Sequence, residues 1–154
     1  GEGAARSAVE RATGSVPESF IRLEHGMPMA ELEKHYAAVD MTVVSLQKSD
    51  SFSGTIPSKI FQSFARGVPV LFIGPEGDAS RLVRESGGGL ALCGSKDEDL
   101  AALEEFAGRA DLAEELARMS DAAVGFMERN YTRRRMADQM LSVLAAAANK
   151  NQPK

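Results

Sequence analysis

The sequence predicts an α/β fold: a parallel sheet with helices on both faces, followed by C-terminal helices. Short apolar runs at 20–24, 41–46, 68–73 and 90–93 alternate with segments of helical periodicity. Glycine or proline punctuates most of the junctions, and from Asp97 onward every pattern is helical. Strands that alternate with helices imply right-handed crossovers and hence parallel pairing.

Residues 4–13 read as a helix, with Ala5, Val9 and Ala12 on one stripe and Gly14 as its stop. Residues 20–24 then read as a short strand closed by His25 and Gly26. Pro28 suits the next helix start, and Leu32, Tyr36 and Ala37 carry that helix to about Val39. The nearly continuous apolar run at 41–46 predicts a strand buried on both faces. A polar loop over 47–54 follows, in which Ser51, Ser53 and Gly54 are small enough for a ligand to approach the backbone.

The stretch from Thr55 to Val70 carries the most information. Pro57 reads as the first helical position, where its missing N–H costs nothing and its φ already matches the helix. The amides of Ser58 and Lys59 are then free donors at the positive end of the helix dipole. Ser58 adds a hydroxyl and Lys59 a mobile charge, so one short segment can hold a phosphoryl group. Helices started by proline are common in α/β proteins and most bind nothing, so this segment alone does not select a function.

Ile60, Phe61 and Phe64 point that helix at the core, and Gly67 ends it. The third strand, 68–73, runs into a turn at Gly74, Pro75, Glu76 and Gly77. Asp78 or Ser80 can cap a helix through about Glu85, and Gly87, Gly88 and Gly89 break it before the fourth strand. Leu100, Leu103 and Phe106 mark one later helix, and Leu112, Leu116, Met119 and Ala123 a longer one. Thr132 can cap a last helix carrying Met136, Met140, Leu141 and Leu144. Residues 149–154 read as a polar tail.

Composition narrows the function classes. A chain of 154 residues with 44% hydrophobic content fits one packed domain. A net charge of −4 argues against nucleic acid as the main partner, and Arg133, Arg134 and Arg135 read as the solvated first turn of a helix. The single cysteine, Cys93, excludes an internal disulfide, suits a reducing compartment and reads as a buried inert thiol. No stretch reaches the roughly 20 apolar residues of a membrane span.

His25 reads as a turn residue and His35 as exposed, and with Cys93 they do not form a metal-ligand spacing. Asp40 precedes its strand and so lies at the wrong end of the sheet for a phosphoacceptor. No Ser-His-Asp or Cys-His arrangement is visible. In parallel sheets ligands bind outside the carboxyl ends of the strands. The loops 25–27, 47–56 and 74–77 are therefore expected to gather along one edge.

The order of these segments resembles a known family. A strand closed by Gly26 is followed by Glu31-Leu32 and by Tyr36-Ala37-Ala38-Val39-Asp40 before the next strand. Then come the Ser-rich loop, Pro57-Ser58-Lys59-Ile60-Phe61-Gln62, Gly67-Val68-Pro69-Val70, and Ser80-Arg81-Leu82-Val83 with its Gly-rich turn. Together they resemble the C-terminal, donor-binding half of GT-B-fold glycosyltransferases. The likeness is to the retaining group-1, family-4-like enzymes that build bacterial surface polysaccharides.

The resemblance implies a partial Rossmann-like, nucleotide-sugar-binding domain over 1–148, followed by the tail. It implies a nucleotide-sugar donor, UDP-sugar foremost, no required cofactor or metal, and transfer to a polysaccharide or lipid-linked acceptor held by a separate N-terminal half. That setting is cytoplasmic, with the parent protein able to lie peripherally at the inner face of the membrane. By the same resemblance, Gly54, Thr55 and Ile56 offer backbone amides to the donor, Ser58 and Lys59 contact its phosphates, and His25, Gly26 and Met27 pack on the base. Gln62 stands where the family usually has a ribose-binding Glu, and Gly54 where it has a second Glu facing the donor sugar. An amide accepts one such bond but lacks the carboxylate's charge and bidentate acceptance.

Two other readings stay open: a non-catalytic α/β binding or assembly module, and half of an epimerase-like nucleotide-sugar enzyme. Gly1-Glu2-Gly3 reads as a strand-to-helix turn whose strand is missing, so the chain is expected to be truncated, inactive by itself, and prone to self-association through an unpaired sheet edge.

Overall fold

The computed structural model describes residues 6–17 and 20–150. The chain divides into two compact units, Gly1–Ala38 and Val39–Lys154.

The first unit contains helix α1 (Arg6–Thr13) and helix α2 (Met29–Tyr36). Neither helix has a buried residue, and Val9 on the expected apolar stripe is 43% exposed. Ala5 and the turn expected at Gly1-Glu2-Gly3 lie outside the described residues. The strand expected at 20–24 does not form. The N–H groups of Phe20 and Ile21 instead donate to the Pro17 carbonyl at 2.9 and 3.3 Å, closing a turn. A strand exists only through a ladder, and a five-residue segment of mixed apolar and charged residues without one stays irregular.

The second unit is the α/β part. Strand β1 (Thr42–Ser45) leads through a 3-10 turn (Asp50–Phe52) to α3 (Ser58–Phe64) and β2 (Val70–Ile73). Helix α4 (Asp78–Ser86) and β3 (Gly89–Leu92) follow, then α5 (Lys96–Ala107), α6 (Leu112–Asn130) and α7 (Arg133–Lys150). The strands form one parallel sheet in the order β1-β2-β3, with Thr42, Val70 and Gly89 in register at one end and Ser45, Ile73 and Leu92 at the other. Three parallel strands joined by helices are the predicted pattern with its first strand absent.

Alternation along the strands sorts the two sheet faces. Val44, Val70 and Phe72 join Ile60 and Phe64 of α3, Ala79, Leu82 and Val83 of α4, and Ala123 of α6 in one core. Phe126 of α6 meets Phe64 edge-on, with ring centroids 6.4 Å apart. On the opposite face Leu71 and Leu92 are buried, and Ile73 and Leu92 line a cleft with Leu100 and Leu103 of α5. Helices α3, α4 and α6 thus pack on the first face, and on the second α5 borders the sheet across that cleft.

Strand β1, however, is not buried on both sides: Val43 is 62% exposed and Ser45 is exposed. It is an edge strand, and the second face is covered only toward β3, which an apolar run by itself does not reveal. Helix α7 begins at the arginine triplet, and the Thr132 hydroxyl accepts the Arg135 N–H at 3.3 Å, as its capping role predicts. Every residue of α7 from Arg133 to Ala147 is exposed, so Met136 and Met140 are surface and Met119 of α6 is core.

Candidate functional site

The carboxyl ends of β1 and β2 carry the two loops that matter. After β1 the chain makes the 3-10 turn, in which Ser49 Oγ accepts the Ser51 N–H. The Ser53 and Thr55 N–H groups donate to the carbonyls of Asp50 and Phe52 at 3.1 and 3.0 Å. The Thr55 amide is therefore committed within the loop and does not face a ligand, contrary to the expectation for it. A loop that folds back into a turn must satisfy its own donors first. The Ile56 side chain packs against the core and pins the loop's exit.

Pro57 is the N-cap of α3, with φ −63° and ψ 132°, one position earlier than expected. Ser58 and Lys59 are the first two helical residues. A proline at the cap offers no side-chain oxygen to the turn that follows. The Ile60 N–H reaches the Pro57 carbonyl at 3.1 Å. Among the described residues, the N–H groups of Gly54, Ile56, Ser58 and Lys59 have no hydrogen-bond partner outside regular helix bonding, and the first two positions of a helix have none within it. Ser58 and Lys59 are exposed, and the Lys59 ammonium has no ion-pair or hydrogen-bond partner among the described residues. Gln62 lies half-buried one turn further on, and Gly54 is exposed, with nothing within 4 Å of where a Cβ would stand.

At the start of α4, at the same sheet edge, the cap and first helical amides are taken. Its N-cap is Gly77, not Asp78 or Ser80. The Asp78 N–H donates to the Ser53 carbonyl at 2.7 Å, and the Gly77 N–H donates to the buried Ser80 Oγ at 2.9 Å. Ser80 Oγ in turn lies 3.0 Å from Glu76 Oε1, which also takes Arg84 at 2.5 Å. That guanidinium bond, ahead of the Ser80 bond, holds the Glu76 carboxyl below the usual carboxylate range. Next to it, Cys93 is half-buried, 3.7 Å from the Pro75 carbonyl, and desolvation raises its thiol pKa. It is half-buried where its apolar run predicted full burial, and the raised pKa favours the thiol over the nucleophilic thiolate.

A cleft of about 490 Å³ opens between the second sheet face and α5, lined by Ile73, Leu92, Leu100 and Leu103 with Lys48 and Asp99. Lys48 is not available to an anion there, because its ammonium is held by the Gly94 carbonyl and the Asp99 carboxylate. The Lys48–Asp99 pair links positions 51 residues apart and has no local signal in the sequence.

His25, Gly26 and Met27 belong to the first unit, where the first two are exposed and Met27 is half-buried. They follow no strand, so the reason to place them at a sheet edge falls away. The structure brings Ser53 of the first loop against Gly77 and Asp78 of the second. Of these, sequence reasoning missed Ser53 and Gly77 as partners, though small residues in both loops were visible. Among the described residues no group of His, Cys, Asp and Glu could hold a metal ion, and no helix is long and apolar enough to cross a membrane. Neither a protein-family model nor a curated protein matches the chain.

Proposed function

We propose that the chain is the donor-binding half of a GT-B-fold glycosyltransferase of the retaining, family-4-like type. It would hold a nucleotide sugar, UDP-sugar foremost, for transfer to a polysaccharide or lipid-linked acceptor on a separate half. The observation that carries this reading is the open start of α3 at the carboxyl edge of a parallel sheet, with the amides of Ser58 and Lys59 and the Lys59 ammonium unpartnered among the described residues. A departing diphosphate is stabilised by donors and cations already in place, without a metal. Ile56 and Gly54 add two further unpartnered amides, and Gln62 offers a ribose one acceptor oxygen.

Calorimetric titration of the chain with UDP, GDP and TDP tests the reading. UDP is expected to bind, and Lys59→Ala to weaken it about tenfold, the usual worth of one charge-assisted contact. If none of the three binds, the donor site is lost. Gly54 and Gln62, standing where the family carries glutamates, favour the module without catalysis as second reading; such a chain binds none of these nucleotides.

A further inference from the structure

The contact between the two loops has a steric requirement as well as a hydrogen bond. A Cβ built on Gly77 would lie 2.1 Å from the Ser53 carbonyl oxygen and 2.8 Å from the Ser53 Cα, inside any real contact. Gly77 has φ 163° and ψ −152°, an extended backbone open to any residue, so space and not torsion demands glycine there. The α4 side cannot retreat, because the Gly77 N–H is held by Ser80 Oγ and Ser80 is fully buried. Among the described residues, the Asp78–Ser53 bond is the one backbone hydrogen bond between 49–56 and another element of the fold. The remaining bonds of that loop are local, such as Ser53 Oγ to the Asp50 carbonyl at 2.7 Å.

We infer that Gly77 is a positioning residue. Its missing side chain lets α4 clamp the loop through Ser53, and the clamp sets where the free amides at the start of α3 stand. The clamp stands on geometry alone, and its effect on a ligand rests on the donor-site reading above.

Gly77→Ala in the full chain tests both parts by amide hydrogen exchange and by titration with UDP. The Asp78 N–H is expected to lose about tenfold or more of its protection while Phe72 and Val83 keep theirs, since local opening need not involve the core. The amide signals from Ser53 to Lys59 shift, and UDP affinity falls about tenfold through misplacement of the donors. The matched Gly54→Ala, whose added methyl meets nothing within 4 Å, leaves Asp78 protection in place. Should Gly77→Ala fail to fold, Asp78→Pro carries the test. Proline is tolerated at the first helical position and deletes the same N–H without adding bulk at residue 77.

Unchanged Asp78 protection in Gly77→Ala, or unchanged signals from Ser53 to Lys59 in either variant, overturns the clamp. Loss of the clamp with UDP affinity intact overturns the positioning role. A wild-type chain that binds no UDP removes the donor-site reading, while the exchange result still decides the clamp.

Discussion

Helices α3 and α4 begin at the same edge of the same sheet, and their first amides differ in what satisfies them. At α4 the protein supplies acceptors for the cap and first helical amides, Ser80 Oγ for Gly77 and the Ser53 carbonyl for Asp78, while among the described residues the Ala79 N–H, like that of Lys59, has none. At α3 the cap is Pro57, which has no side-chain acceptor, and the amides of Ser58 and Lys59 stay open. Both starts carry the same dipole. What separates them is the supply of oxygen atoms, so a helix start becomes a place for an anion only where the fold leaves its donors unsatisfied. The two starts are also joined, because the Ser53 carbonyl that closes one belongs to the loop that presents the other.

The strongest way to break the comparison is to remove the footing of the open start. Ile60, the third residue of α3, is completely buried, and Ile60→Ala should cost about 2–5 kcal/mol in urea unfolding. A loss below 1 kcal/mol, on the scale of a surface change, would mean that α3 is not anchored as described. Ser80→Ala sharpens the other side. It orphans the Gly77 N–H and should cost about 1–3 kcal/mol, and because Ser80 holds the α4 side of the clamp, UDP affinity at α3 should fall with it, by less than in Gly77→Ala.

Pro57→Asp tests the cap itself. A new cap gains about 1 kcal/mol and lost proline rigidity costs a similar amount, so stability hardly moves. The aspartate then takes an amide and repels a diphosphate, and titration should show UDP affinity falling; an unchanged affinity would remove the open amides from the site.

The smallest effect is electrostatic. Arg84 lowers the Glu76 pKa, so that carboxylate stabilises the fold above its unfolded pKa of about 4.3 and ceases to as pH falls through its lower folded value. The side chains of the pair are 63% and 47% exposed, so after screening Glu76→Gln should flatten the acid limb of a stability profile by less than about 1 kcal/mol.

Much of this was legible from local chemistry. The helix stops at Gly67 and Gly87, both at positive φ, the Thr132 cap and the core side chains Ile60 and Phe64 all follow from residue type and spacing. Strand β1 was placed correctly in the sequence but not in the sheet, since Val43 has the same apolar character whether its face is covered or bare. The run at 20–24 misled for a related reason: apolar alternation proposes a strand, and only a partner makes one. In the candidate site, the helix start at Ser58 and Lys59 was legible because proline, dipole and charge are local. Thr55 was misjudged because its N–H turns back to Phe52.

The amino-acid sequence by itself determined the α/β order, the helix ends and the donor-bearing segment after Pro57, because each depends on torsions and periodicities within a few residues. The tertiary structure decided which donors stay free, which strand lies at the edge and why residue 77 has no side chain. Those outcomes depend on atoms brought together from distant parts of the chain, as Ser53 is to Asp78 and Lys48 to Asp99.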